Sequence, residues 1–478
     1  MLLPRSDREC HRIFLYSEIQ RAQEELADFA RRPHPLNSAH DLIVFEEKLQ
    51  QLTQRLHALL AAKAVQDALL ADSMRSHVRK LLQTSPKKFK DQGWRPVTLR
   101  FAHGESVVVF AVYYSRGQNR SGKRCKGFYP GLLVLGIHDH CSPSLASDVG
   151  QLVALLGSFA EAERLLKQRG CHLCVNTLRR IAYRYCERAR LAQKAKKAAG
   201  PPESLQGRLV VLTCDGGRIR IRKDRKAKTK KGRKRYSTSW REPKLLMIYV
   251  VKQDNGEVKM DHEFPPVVDG TLKGPDAVFA LFRYYLEQLH IDKADRVLFV
   301  ADGAAWIWKR AGALLRALYI DKEKRHELVD FYHAMEHLGS AADLSGQFGK
   351  EKAKKKWLKE QSKRLLADKV KEVIAELQQM ALKRPSKKLQ TEVNYFVKHG
   401  QENKRMEYGR MKELGLPLGS GAIESAMRRV VNLRLKGTTL FWHKDSAEAV
   451  LLLRCFAKSG RFQNLDTLAF APDLAAVA

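Results

Sequence analysis

The chain is short of acidic residues, of paired cysteines and of long apolar runs, and each shortage closes off a class of protein. Only 52 Asp and Glu face 87 Lys and Arg over 478 residues, a formal balance of +35. A surplus of that size keeps polyanions close and says little about fold. No run approaches the ~18 apolar residues of a membrane span. Residues 1–10 lack the apolar stretch of a secretory signal and already carry Asp7 and Glu9. The 8 cysteines are too scattered to form a disulfide framework, and glycine shows no collagen-like period. The expectation is a cytosolic, multi-domain, polyanion-binding chain with no membrane partner. At roughly 150 residues per domain it would have about three domains.

Residues 8–80 place apolar side chains three and four apart (Leu42, Phe45, Leu49, Leu52, Leu56, Leu59, Leu60), with one break at Arg32-Pro33-His34-Pro35. That predicts a helical region over 1–80, either a hairpin or a coiled-coil dimer arm, serving dimerisation or DNA binding. Runs at Val97–Phe101 and Val107–Tyr114 predict strands in a small region, 81–145. Three helical pieces are expected within 146–200: Val149–Leu156, Phe159–Gln168 and Asn176–Gln193. The last two flank the turn Arg169-Gly170-Cys171-His172 and fit a helix-turn-helix. A basic, Ala- and Pro-rich linker, Ala192–Pro202, closes the region.

Beyond it, strand-like runs appear at Leu209–Cys214, Leu245–Val251, Glu257–Phe264, Arg296–Ala301 and Glu327–Phe331. Helices are expected at Pro275–His290, at Trp306–Leu318 and from His333, so 201–339 reads as an α/β unit. Residues 340–410 carry a basic, purely helical pattern. In 411–478, Gly419-Ser420-Gly421 opens a helix to about Leu435, with Ser420 as its N-cap. Arg218–Arg235 holds 12 basic residues and one acid, Asp224. That predicts a mobile hairpin tip for duplex phosphates, with Arg222, Lys223, Arg225, Lys230, Lys231, Arg233, Lys234 and Arg235 as contacts. It has no aromatic before Tyr236, which argues against a stacking platform.

Asp215 and Asp302 each close a short apolar run and each precede glycine. Such runs suit central strands buried on both faces, and a strand-end Asp sits at the rim where ligands bind. Glu424, in the first turn of the Gly419-led helix, supplies a third acid. Three carboxylates could hold two hard cations for in-line phosphoryl displacement. Taken singly, the two Asp could merely end strands, and Glu424 could merely complement a helix dipole.

With these residues in view, the chain resembles DDE transposases of the Mutator-like superfamily, bacterial insertion-sequence type ISKra. The resemblance rests on the order of strands and helices, on Asp330-Phe-Tyr-His333, and on Pro417-Leu-Gly-Ser-Gly-Ala-Ile-Glu424 followed by Arg434-Leu-Lys436-Gly and Trp442. It implies an α/β ribonuclease-H-like catalytic core with a mixed sheet, interrupted by an all-α insertion, with N-terminal helical and helix-turn-helix DNA-binding regions. Asp302 and Glu424 lie 122 positions apart, and the insertion would fill that gap. Asp215, Asp302 and Glu424 would be the catalytic and metal-holding acids for two Mg²⁺ ions, with Mn²⁺ able to substitute. The implied activity is binding of terminal inverted repeats, phosphodiester hydrolysis and 3′-OH strand transfer, by a homodimer or higher oligomer on double-stranded DNA. The setting would be a bacterial cytoplasm, on the nucleoid. A non-catalytic DNA-binding regulator and a nuclease without strand transfer are the alternatives.

Around the acids, Arg428 could hold the scissile phosphate or simply pair with Glu424. Trp308 and Trp442 could stack an unpaired base or serve the core. His333 could position a water or the DNA, or bond to Asp330. At the start of the presumed recognition helix, Asn176, Thr177, Arg179 and Arg180 are the candidate base readers. Cys125 and Cys141, with His138 and His140, occupy the place of the family's zinc element, but buried thiols and surface histidines are expected there. Cys171 and Cys174 are expected in the core.

Overall fold

The computed structural model describes residues 5–472 except 104, 119–121, 123–126, 229–231 and 233. The expected phosphate contacts Lys230, Lys231 and Arg233, and Cys125, therefore lie outside the described residues. The chain forms two compact units, 1–200 with 463–478, and 201–462. The segment 411–478 is thus not one block, as the sequence led us to expect, because its last residues belong with the N-terminal unit.

In that unit, α1 (Arg5–Arg31) and α2 (Ala39–Leu70) form an antiparallel hairpin. Leu15, Ile19 and Ala22 pack on Leu59, and Arg55 reaches Glu18 and Glu25. The two helices pair within one chain, while Ile13, Phe14 and Tyr16 of α1 and Leu42, Ile43 and Val44 of α2 stay exposed. After α3 (Asp72–Gln83), strands β1 (Lys90–Arg100) and β2 (Ser106–Ser115) pair antiparallel. Val97, Leu99, Val109 and Ala111 bury against Ala58, Ala62 and Leu69 of α2.

Helices α4 (Pro130–Val134), α5 (Pro143–Leu155), α6 (Phe159–Gln168) and α7 (Val175–Lys194) follow. Ser142 and Ser158 cap α5 and α6, accepting from the N–H of Leu145 and Glu161. Gly170, at φ +78°, makes the left-handed turn between α6 and α7. Cys141 and Cys171 are buried, and burial pushes both thiols up, Cys141 to about 12. Two expectations fail here: Cys174 is exposed rather than core, and His138 is buried, its pKa lowered by that burial to about 3.

The second unit is built on a six-stranded mixed sheet of order β10-β9-β3-β6-β7, with β8 also paired to β6. The strands are β3 (Leu209–Gly216), β6 (Lys244–Asp254), β7 (Glu257–Met260), β8 (Val267–Thr271), β9 (Arg296–Ala301) and β10 (Arg325–Val329). β3, β9 and β10 run parallel, while β6 is antiparallel to β3, β7 and β8. Their continuous apolar runs are buried on both faces. β8 was not foreseen, because its two valines follow Pro265-Pro266 and its buried Asp269 breaks the apolar run. Within the Arg218–Arg235 run, β4 (Ile219–Lys228) and β5 (Lys234–Arg241) pair antiparallel as a separate ribbon, in keeping with the expected hairpin.

Helix α8 (Pro275–Gln288) leads to β9, α9 (Ala305–Ala317) to β10, and α10 (Phe331–Ser345) leaves β10. Residues 340–410 hold α11 (Glu351–Leu366), α12 (Val370–Lys383), α13 (Lys387–Phe396), a π turn at Val397–Glu402 and α14 (Tyr408–Glu413). The chain then returns through α15 (Gly421–Met427) and α16 (Lys444–Lys458). Among the described residues no helix is long and apolar enough to cross a membrane.

Candidate active site

Strand register sets the first part of the site. β3 pairs with β9 up to Leu212 opposite Phe299, and three residues further along each strand lie Asp215 and Asp302. β9 pairs with β10 up to Ala301 opposite Val329, and one residue further lie Asp302 and Asp330. Three aspartates therefore form a row at the C-terminal ends of three adjacent parallel strands. Asp215 Oδ1 accepts from the Gly216 N–H at 2.6 Å, and Asp302 Oδ1 from the Ala304 N–H at 3.0 Å. The second oxygen of each takes no hydrogen bond among the described residues.

Asp330 behaves differently. It is fully buried and saturated: Oδ1 caps α10 by accepting from the N–H of Tyr332 and His333, and Oδ2 accepts from both the N–H and the hydroxyl of Ser420. Burial alone would raise its pKa, but bonds from His333 and Ser420 hold it well below the usual carboxylate range. Ser420 occupies the N-cap position of α15, yet its side chain makes no cap bond there. Its hydroxyl is committed to Asp330, which corrects the expected capping role. The Phe331 N–H donates to the Leu418 carbonyl beside it. A side chain at Gly419 would meet the exposed Tyr332 ring at 2.9 Å, so any larger residue would have to displace that ring.

Glu424 is thereby brought to the row, on a helix packed over β3 and β6. Asp330, His333 and Glu424 offer atoms within 4.8 Å of one another. We do not read that trio as a cation cage, because both Asp330 oxygens are occupied. His333 Nδ1, buried and without a hydrogen bond, lies 3.8 Å from Asp330 Oδ1, and the Asp330 carboxylate, opposed by burial, raises His333 to about 9. The neighbouring carboxylate favours the protonated ring. The oxygens left open belong to Asp215, Asp302 and Glu424. Burial raises Asp215 to about 6, with Asp302 and Glu424 adding to the rise and the Gly216 N–H and His333 opposing it. Asp302 and Glu424 are near enough to act on Asp215 electrostatically, but among the described residues the three carboxylates do not gather within 4.8 Å as Asp330, His333 and Glu424 do. Carboxylate oxygens are the donors hard divalent cations take.

The α15 helix does not run on to Leu435 as expected. It opens into a π turn at Arg428–Asn432, whose carbonyls at Arg429 and Val430 accept from the buried Arg454 guanidinium of α16. Glu424 and Arg428 are both exposed, and no ion pair joins them among the described residues. Arg428 is thus left available to an anion.

Trp308 and Trp442 are not stacking surfaces. Trp308 is 7% exposed, donates from Nε1 to the Asp302 carbonyl at 2.6 Å and lies beneath the Arg405 guanidinium. Trp442 is buried, bonded to the Leu435 carbonyl and covered by Arg434. Tyr395 of α13 was not foreseen. Its ring sits where a side chain at Gly303 would need to be, 2.2 Å from that position, and stacks on His337 at 3.7 Å. Its hydroxyl is buried without a partner. A lone Tyr in a helical pattern so far along the chain from Asp302 carries no signal in sequence.

In the N-terminal unit, Asn176, Arg179 and Arg180 are exposed at the start of α7, with Thr177 half-buried. Arg179 donates to Asn176 Oδ1. On the ribbon, Lys223, Arg225, Lys234 and Arg235 are exposed, while Arg222 is half-buried and paired with Asp224.

No protein-family model matches the chain, and no curated protein matches it in sequence. Among solved structures it is similar to the Drosophila P element transposase strand transfer complex, at 12% identity over 70% of this chain and 84% of that one, with a TM-score of 0.22. Backbones related at that score do not superpose closely, so the functional reading rests on this chain's own residues.

Two predictions follow from the site's electrostatics and packing. A raised carboxylate pKa means the folded state holds its proton between about 4 and 6 while the unfolded state does not. Without divalent cations, Asp215 therefore lowers stability as pH rises through that window. Mg²⁺ or Mn²⁺ should raise the melting temperature more at about pH 7.5 than at about pH 5, where protons compete. Asp215→Asn should flatten both trends, and an unchanged metal shift in that variant would remove Asp215 from the cation site. In a double-mutant cycle, Asp330→Asn and Ser420→Ala should couple by about 1 kcal/mol or more in unfolding free energy. Additive effects would mean the two residues act independently.

Proposed function

We propose that the protein is a DDE-type DNA transposase of the Mutator-like kind, with a ribonuclease-H-like core interrupted by the helical segment 340–410. The sheet supports the fold reading. An antiparallel run from β3 through β6 to β7 and β8 is followed by helix, parallel strand, helix, parallel strand, with β3 and β9 in the middle. The observation that supports the functional reading is that Asp215 and Asp302 lie three residues beyond the last paired residues of β3 and β9, with Glu424 and Asp302 both acting on Asp215 electrostatically.

Asp215, Asp302 and Glu424 would hold two Mg²⁺ ions, or Mn²⁺ in their place, which when bound activate a nucleophile and stabilise a leaving oxygen. The chain's own cations frame the acids. His333, whose protonated form the Asp330 carboxylate favours, would offer a proton donor and a phosphate partner beside Glu424, and Arg428 a second cation on the next turn. In the first step water attacks phosphorus and the bond to the 3′ oxygen breaks, freeing a 3′-OH. In the second, that 3′-OH attacks a target phosphodiester, so one P–O bond forms as another breaks and no protein–DNA covalent link is needed. The ribbon would hold duplex phosphates, and the start of α7 would read terminal inverted repeats. Transposition would proceed from a homodimer or higher oligomer assembled on the DNA.

The test uses DNA flanking the gene as substrate in Mg²⁺. Asp302→Asn keeps the side chain's shape and loses its charge, so nicking and strand-transfer products should vanish while affinity for the repeat stays within about twofold. Nicking by the variant would defeat the mechanism, and nicking without joined product by the native chain would favour a nuclease. Arg179→Ala and Arg180→Ala should cut the ratio of cognate to random binding by roughly 5- to 100-fold, the worth of ~1–3 kcal/mol per base contact. Equal losses on both duplexes would deny α7 the reading role.

A further inference from the structure

The β4–β5 ribbon carries more than a strip of phosphate contacts needs. Arg220 pairs opposite Trp240, Arg222 opposite Thr238 and Asp224 opposite Tyr236, so these side chains share one face. Trp240 is 56% exposed and Tyr236 46%. They serve no core, since the ribbon's buried apolar residues, Ile219 and Ile221, are on the other face. The Arg220 guanidinium lies over Trp240 at 5.4 Å and over Phe441 at 4.9 Å, and that of Arg222 over Tyr236 at 4.7 Å. Each exposed ring is thus fixed by a cation while about half its surface stays in water. The base of the ribbon is held as well: the Arg222 N–H donates to the Trp442 carbonyl at 2.8 Å, and the Trp442 N–H to the Arg220 carbonyl at 3.0 Å. An isolated two-stranded ribbon is marginal in water, and these bonds steady it.

We propose that this face binds unpaired nucleobases of single-stranded DNA, Trp240 and Tyr236 stacking bases on their open faces while exposed cations of the ribbon such as Lys234 take phosphates, Arg220 being held by the Gly437 and Thr438 carbonyls and Arg222 by Asp224. Duplex DNA buries its base faces, so a purely duplex-binding strip gains nothing from exposed rings. A strand with free bases offers both the π surface and the charge that this face complements. The proposal deepens the DNA-binding reading above and rests on it, and it departs from the sequence-based expectation that the basic run lacks a stacking platform. Aromatics absent from the run up to Arg235 are supplied across the turn by β5.

The test compares binding of the full chain to a blunt duplex of about 20 base pairs and to the same duplex with an overhang of about five thymidines. The native chain should prefer the overhang by at least roughly fivefold, the lower end of one base stacked on an aromatic. Trp240→Ala and Tyr236→Ala should remove that preference while leaving blunt-duplex affinity and its salt dependence unchanged. Trp240→Phe and Tyr236→Phe should keep most of it. A fluorescent purine analogue in the overhang should be quenched by the native chain and by the Phe variants, but not by the Ala variants. Equal binding of the two probes by the native chain overturns this inference and leaves the duplex reading standing. Failure to bind either probe overturns both. Equal loss on both probes in the Ala variants would make the rings general duplex contacts and also overturn it.

Discussion

The placement of Glu424 depends on one buried carboxylate. A helix that arrives after a long helical excursion has no covalent reason to sit over the strand ends, and Asp330 supplies the physical one. With two donors from its own helix start and two from the remote Ser420, it remains ionised where burial alone would favour its neutral form. Hydrogen bonds to a charged acceptor are worth more than neutral ones, and an ionised carboxylate stripped of them is costly to bury. Any arrangement that pulls Ser420 away leaves that penalty behind, so position 420, and with it Glu424, is fixed tightly.

The helical segment 340–410 holds the same edge from the other side. The Val329 N–H donates to the Arg405 carbonyl, and Arg405 also pairs with Glu327 at 2.7 Å and covers the Trp308 ring. Trp308 in turn bonds the Asp302 carbonyl, while Tyr395, stacked on a His337 that is held by Glu392, packs against Gly303. The turn carrying Asp302 is thus held by Trp308 of α9, which Arg405 covers, and is packed by Tyr395 from segment 340–410. The segment is a buttress of the site as well as a spacer within the sequence.

The sequence makes Asp215 and Asp302 legible because both stand at the end of apolar runs that can only be central strands, and strand ends collect ligands. Glu424 is visible through the glycines that precede it. Asp330 is visible by resemblance, and its role differs from that of an auxiliary site acid, because the two donors that Ser420 brings from 90 residues away leave no trace in local pattern. Ser420 illustrates the limit: an N-cap signature is correct about position and misses the partner, since the hydroxyl gains more from a buried carboxylate than from its own helix. The π turn after Met427 is equally hidden, for it depends on Arg454 from a later helix. Trp308 and Trp442 were open between core and surface in sequence, and their indole N–H bonds to backbone carbonyls decide for the core. The ribbon's aromatic face needed strand pairing to be seen, because its arginines and its rings lie on opposite sides of a turn.

A last constraint joins the site to the rest of the chain. With 87 cationic side chains against 52 acids, most of this protein attracts nucleic acid at long range. The row of Asp215, Asp302 and Glu424 opposes that attraction at the one place where a phosphodiester would have to be cut. Burial and mutual repulsion already raise Asp215, so a further anion brought against these carboxylates is unfavourable unless positive charge arrives with it. His333 and Arg428 supply part of that charge, but both stand beside the carboxylates and neither is bonded between them. Divalent cations are the component that would reconcile an acidic centre with a polyanionic substrate, and the strongly basic surroundings would hold the DNA while they do so.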